Sequence, residues 1–272
     1  MSKRKIQDIL HFRKDLPPFL VHLTKTRKVV EPNHQTVDPL EERVPTIEYK
    51  AQQNLISILD SKILRQSGER ISSIRFLIDY STKKSLKNQK EFFSAICVTE
   101  TPLESIHCLI DIEGRQVNLE PYGLVFLKER LKEKDFHPAL YFNNSINGHS
   151  DPIFKAIGTL FQSAPDEAKK FFPLVTTFGH LVGPSKTSGG WQDFYWEREW
   201  RRPFCYGDFS FSFSEDPKNN DVFCGLCPEG EIDFFEGKYS GLPFIDPTRP
   251  LSWYAQKLIR RRKVLNIEHS VV

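Results

Sequence analysis

Methionine is nearly absent from this chain, at one residue in 272, and cysteine is sparse, at five. Five is an odd number without the regular spacing of a disulfide framework. That excludes the small cross-linked secreted scaffolds and suits a reducing cytoplasm. No apolar run approaches the roughly 18 residues that a membrane span requires. The N-terminal stretch MSKRKIQDILHFRKDLPP is basic but has neither an apolar h-region nor a small-residue cleavage site. An excess of one charge is missing too. Lys plus Arg number 38 against 35 Asp plus Glu, a net +3 that defines no nucleic-acid binder, although a local patch would support one. Internal repeats and low-complexity tracts are also absent. What is present is 39% hydrophobic and 27% charged, with 22 phenylalanines, enough for a sizeable core and too much for global disorder. The expectation is a soluble, cytoplasmic protein with no membrane contact.

Along the chain, a basic arm (1–18) ends at Pro17-Pro18, and a single α+β domain is expected over 19–272. FLVHLTK (19–25) reads as a buried strand, with Phe19, Val21 and Leu23 on one face and Leu20, His22 and Thr24 on the other. Residues 26–48 are polar, with three prolines, and read as a loop insertion or lid. QQNLISILDSKIL has Leu55, Ile58, Leu59 and Ile63 at helical spacing, with Gly68 as a stop. EFFSAICVTETPL reads as a second core strand, LESIHCLI as a short helix, PYGLVFLKERLKEK as a strand or turn running into a helix, and HPALYFN as a short strand. DPIFKAIGTLF starts a helix at Asp-Pro, with Ile153, Phe154, Ile157, Leu160 and Phe161 on one face. The remainder reads mainly as strands, closing on an amphipathic basic helix, LSWYAQKLIRRRK. The mixture favours α+β over βαβ repeats.

The strongest chemical feature is Tyr195-Trp196-Glu197-Arg198-Glu199-Trp200-Arg201. In a strand, Tyr195, Glu197, Glu199 and Arg201 share one face and the tryptophans the other. Two carboxylates so placed repel unless a cation, metal or substrate lies between them. The plainer reading is an edge strand whose charges are balanced by arginines. His22 and Thr24 form a His-x-Thr pair on one strand face, although a lone strand histidine is more often a satisfied core residue. Cys224-Gly225-Leu226-Cys227 lacks the further ligands of a zinc site and reads as buried thiols, so no metal is expected. GPSKTSGG (183–190) fails the phosphate-loop pattern, because Lys186 precedes its final glycines. The basic run at Lys257, Arg260, Arg261, Arg262 and Lys263 reads as a solvated helix face, or as half of a nucleic-acid patch if the N-terminal arm lies beside it.

The ordered pieces FLVHLTK, NLISIL, ICVTETPL, PYGLVFLKE, PALYF and EREWR resemble the AbiGi-like abortive-infection family of bacterial phage-resistance proteins, over about residues 19–265. More remotely, the His-x-Thr strand, the Asn-Leu-x-x-Ile-Leu helix and the late glutamate are similar to the ADP-ribosyltransferase fold of toxin–antitoxin systems. That resemblance implies a split β core flanked by helices and NAD as substrate. It implies that His22, with Thr24 beside it, contacts the ribose of NAD. Thr99 shapes the nicotinamide site, with Tyr80 or Tyr141 as aromatic partner. Glu199 stabilises the reacting sugar, and Glu197 positions or deprotonates the acceptor. The acceptor is a macromolecule, nucleic acid among the candidates, and GPSKTSGG with Trp191–Phe194 takes the place of the substrate-recognition loop. Against the pattern stand the lack of a clear aromatic pair at the expected spacing and the thirty or so residues between His22 and the helix.

Two other classes compete. A non-catalytic antitoxin or regulatory partner would keep the fold and bind a cognate toxin or antitoxin protein, as AbiGi-like proteins are commonly labelled antitoxins. A metal-dependent nuclease would use Glu197, Glu199 and Asp208, but the usual aspartate–lysine grouping is not visible.

Overall fold

The chain from Phe19 to Leu23 forms strand β1 because both of its faces find apolar cover: Phe19, Leu20, Val21 and Leu23 are all buried, and His22 alone is half-buried. The computed structural model describes residues 17–30, 46–65, 94–110, 112, 118–143, 151–178, 198–203, 210–216 and 219–267. After β1 come β2 (Arg27–Val30), β3 (Thr46–Tyr49), helix α1 (Ala51–Ser61), β4 (Ile63–Arg65) and β5 (Ala95–Thr99). A 3-10 helix (Leu103–Leu109) precedes β6 (Gly123–Leu127), α2 (Lys128–Lys132), β7 (His137–Pro138) and β8 (Leu140–Asn143). Then follow α3 (Asp151–Ser163), α4 (Pro165–Phe171), β9 (Val175–Phe178), β10 (Glu199–Pro203) and β11 (Ser210–Ser212). The last elements are β12 (Val222–Leu226), α5 (Ile232–Lys238), β13 (Phe244–Ile245) and α6 (Ala255–Val264).

Seven strands make one mixed sheet in the order β13-β12-β6-β1-β5-β10-β7, antiparallel throughout except for the β12–β13 pair. This is an α+β architecture, as the mixture of elements suggested. Short two-stranded sheets, β11–β4, β2–β3 and the parallel β8–β9, flank it.

The phenylalanines supply much of the core. Phe19 stacks on Phe223 at 4.3 Å, Phe126 meets Phe213 edge-on at 5.6 Å, and Phe235 stacks on Phe244 at 5.0 Å. Each fully buried ring contributes about 1.5–3 kcal/mol in area terms, with a smaller increment from ring geometry. Two glycines leave room for no side chain, one against backbone and one against a ring. A Cβ on Gly123 would lie 2.2 Å from the His22 carbonyl oxygen, and one on Gly225 would lie 2.1 Å from the Phe244 ring.

Several expectations change in detail. The two described ends of the 26–48 segment are not loop: they pair as the antiparallel strands β2 and β3, in register from Arg27–Tyr49 to Val30–Thr46. Helix α1 ends at Ser61 rather than near Gly68, because Lys62 takes the left-handed conformation (φ 55°) and turns the chain into β4, which pairs with β11. HPALYFN divides into β7, in the main sheet, and β8, paired with β9. On α3, Ile157 is buried but Ile153 is exposed, so the packed stripe is narrower than the spacing implied. The C-terminal part carries more helix than expected, in α5 as well as α6. Among the described residues, no helix is long and apolar enough to cross a membrane.

Candidate active site

The centre of the sheet opens along one line. β1 pairs with β6 at five successive positions, Phe19↔Leu127 to Leu23↔Gly123, but meets β5 at a single position, Val21↔Thr99. Beyond that bridge lies a cleft of about 170 Å³ lined by both strands. His22, Leu23, Thr24 and Lys25 form one wall, with Ala95–Thr99 opposite. One face of α1, Leu109, Leu119 and Glu199 complete it. His22 spans the gap: its Nδ1 lies 3.1 Å from the Cys97 carbonyl oxygen. A carbonyl only accepts, so Nδ1 carries the hydrogen of that bond. The ring thereby satisfies a carbonyl on a strand that has separated from β1.

α1 is held at this edge by residues of the two early motifs. The Thr24 hydroxyl lies 2.9 Å from the Ala51 carbonyl oxygen and 3.1 Å from that of Tyr122, and its backbone N–H donates to Tyr122 at 2.7 Å. Asn54 donates from its side-chain amide to the Lys25 carbonyl at 2.8 Å. Leu55 and Leu59 face the core, while Ser57, Ile58 and Ser61 look into the cleft. Thr24 lines the cleft and is buried, and its single hydroxyl hydrogen, committed to backbone, fastens the helix.

Glu199 enters from β10. The register Glu199↔Thr99 continues Thr99↔Val21, so these three residues lie on one face of three adjacent strands. Glu199 is buried, and its Oε2 accepts from Arg201 Nε at 2.9 Å and Nη2 at 2.5 Å. Arg201 is itself fixed by donating Nη1 to the carbonyls of Pro173 (3.0 Å) and Val175 (3.2 Å). The period-two spacing that puts carboxylates on one face thus also supplies the cation. The backbone is equally constrained. The Glu199 N–H donates to the Tyr141 hydroxyl at 3.0 Å, and its carbonyl accepts from Ala139 at 2.8 Å. Arg198, just before it, sits at φ 41°, a left-handed conformation costing a bulky residue about 1–3 kcal/mol, and such strain gathers at functional positions.

The lining of one cleft therefore includes His22, Thr24, Thr99 and Glu199. His22 and Thr24 lie on the face of β1 opposite to that of Val21, Thr99 and Glu199, and the parting of the strands opens the space between them. Thr99 Oγ1 lies 2.9 Å from Thr101 Oγ1. Tyr141 does not line the cleft; it braces Glu199 from behind through its hydroxyl. Glu197, Tyr80, Asp208, GPSKTSGG and Trp191–Phe194 lie outside the described residues. Sequence reasoning missed Arg65, an exposed cation at the cleft on β4, and Cys97 in the opposite wall. The period-two spacing of Cys97 with Thr99 on β5 was the available signal for the cysteine; nothing local marked Arg65.

The other candidates resolve into scaffold. Cys224 and Cys227 are buried free thiols; burial pushes both upward, Cys227 to about 12, which keeps them protonated and inert. Among the described residues no cluster of acidic, cysteine and histidine side chains could hold a metal ion. In the basic run, Arg261 is buried and donates to the carbonyls of Phe223 (2.8 Å), Val222 (2.8 Å) and Gly241 (2.9 Å). Lys257 pairs with Glu236, which leaves Arg260 and Lys263 as the exposed cations of that helix.

The chain matches no protein-family model, no curated protein and no solved structure.

Proposed function

We propose that this protein is an ADP-ribosyltransferase-like member of a bacterial phage-defence or toxin–antitoxin system, similar to AbiGi-like proteins. It would transfer ADP-ribose from NAD to a macromolecule, with nucleic acid as the acceptor class to test first. The observation that carries the reading is the parting of β1 from β5 after one bridge, with His22, Thr99 and a buried carboxylate, Glu199, around the opening. That parting is also what supports a split β core of the ADP-ribosyltransferase kind.

The donor set suits a nicotinamide dinucleotide. The cleft offers apolar surface from Leu23, Ile58, Leu109 and Leu119, a histidine, hydroxyls on α1 and β5, and the guanidinium of Arg65 for a phosphate. NAD supplies a sugar with a good leaving group: breaking its bond to nicotinamide leaves positive charge on the ribose. Glu199 is the residue to stabilise that charge, since a fixed carboxylate in a water-poor site acts strongly on a developing cation. Arg201 and Tyr141 keep it from reorganising as charge develops. His22, fixed by the Cys97 carbonyl, is the cleft residue to contact the ribose. Thr99 limits the nicotinamide end.

A second reading, a non-catalytic antitoxin or regulatory partner, draws on one observation: Glu199 Oε2 already holds an ion pair with Arg201, which a purely structural carboxylate would also do. One experiment separates the two. Purified protein is incubated with NAD and mixed nucleic acid or cell lysate, beside Glu199→Gln, and released nicotinamide is followed. Release that falls by about 100-fold or more in the variant supports the transferase. No release from either folded protein favours the binding partner, whose cognate protein is then sought by co-purification.

A further inference from the structure

We infer that Glu100, a residue outside the cleft, is the positioning residue that sets the geometry of Glu199. It follows β5 directly and is buried, yet three residues spend their polar atoms on it. Lys128 pairs with its Oε1. Arg198 Nη2 lies 3.3 Å from Oε2, and the Trp200 indole N–H donates to Oε2 at 3.1 Å. The Glu100 backbone N–H also donates to the Arg198 carbonyl at 3.1 Å.

The residues on both sides of Glu199 are thus gripped by one carboxylate on the neighbouring strand. Arg198 needs such a grip, because its φ of 41° is unfavourable for a side chain of its size. With Arg198 and Trp200 held on one side of the sheet, alternation turns Glu199 to the other, level with Thr99 and Val21. Lys128 completes the arrangement by balancing the charge and lying over the Trp200 ring at 5.4 Å. An apolar residue would accept from neither group, and an amide would set its NH2 against the Lys128 ammonium and lose the charge that holds the guanidinium.

The catalytic arm of the test rests on the NAD reading; a second arm does not. Glu100→Gln preserves size and removes the charge. Asp221→Asn is the control: Asp221 is a buried carboxylate paired with Lys134 and accepting from the Ser214 N–H at 2.6 Å, just before β12, a strand separated from β10 by β6, β1 and β5. Both variants are expected to lower the melting temperature. Amide hydrogen exchange is then measured by NMR in each folded protein. Glu100→Gln is expected to quicken exchange at the Glu199 N–H by about tenfold or more, and Asp221→Asn to leave it unchanged. Nicotinamide release should fall on the order of 100-fold in kcat for Glu100→Gln with little change in KM, and by less than about threefold for Asp221→Asn. Unaltered Glu199 exchange in Glu100→Gln, or equal quickening in both variants, overturns the proposal. If the wild-type protein releases no nicotinamide, the NAD reading fails and exchange alone decides the role of Glu100.

Discussion

The two sides of β1 are built on opposite principles. Towards β6 and β12 the pairing runs on with a single irregularity between Val222 and Cys224, Gly123 lets two backbones touch, and the space is filled by stacked phenylalanines. Towards β5 the ladder stops after one bridge, and polar side chains do the joining: His22 to the Cys97 carbonyl, Glu100 to Lys128, Arg198 and Trp200, and Arg201, which holds Glu199, to the Pro173 and Val175 carbonyls. The first side resists change by packing, which is insensitive to what any single polar group does. The second resists by a few directed bonds around an opening, so a ligand can enter and the groups facing it stay fixed. A site is to be expected on the second side, and that is where the candidate residues meet.

The largest effect expected belongs to the packed side. Arg261→Met leaves the carbonyls of Val222, Phe223 and Gly241 without their donor and should cost about 3–5 kcal/mol, read by urea unfolding, with no selective loss of ligand binding. Gly123→Ala joins the two sides: its methyl group would meet the His22 carbonyl, which is backbone and cannot swing away. About 1–3 kcal/mol of stability should be lost, and His22 displaced, so that binding of NAD by calorimetry weakens more than the stability change alone requires. His22→Ala acts on the open side only. Its expected mark is a roughly tenfold rise in KM for NAD, about 1.4 kcal/mol, with a melting temperature lowered by only a few degrees as the Cys97 carbonyl loses its donor.

The smallest effect is one of pH. Burial raises the Cys227 thiol from 9.0 to about 12, so between those values the unfolded chain has lost a proton that the folded chain keeps. Stability is therefore fully present below about pH 9 and falls as pH rises towards 12, by at most about 1.4 kcal/mol per unit for this group. Cys224, raised by burial as well, adds to the same slope. Denaturant unfolding across that range should show the fall, and Cys227→Ser should make it shallower.

How much of this was legible in the sequence depended on the range of the interaction. β1, α1, β5 and β6 were readable because alternation and helical spacing are local signals, and so was the same-face placement of Glu199 and Arg201. The loss of pairing between β1 and β5 was not, since it is decided between segments about 75 residues apart in the chain. For the same reason the bonds of Thr24 to Ala51 and Tyr122, and the brace that Tyr141 gives Glu199, were not visible in the sequence. Arg261 was hidden inside a run of charge, where nothing local distinguishes the one arginine that turns inward. β2 and β3 were obscured because prolines and polar residues dominate the segment between their ends.

The most direct test of the account is to titrate isotope-labelled protein with NAD and follow backbone amide shifts. The account predicts progressive shifts at His22, Thr99 and Glu199 and along the cleft face of α1, with β12 and β13 unmoved. Shifts confined to another surface, or none at millimolar NAD, would contradict the placement of the site where β1 and β5 part.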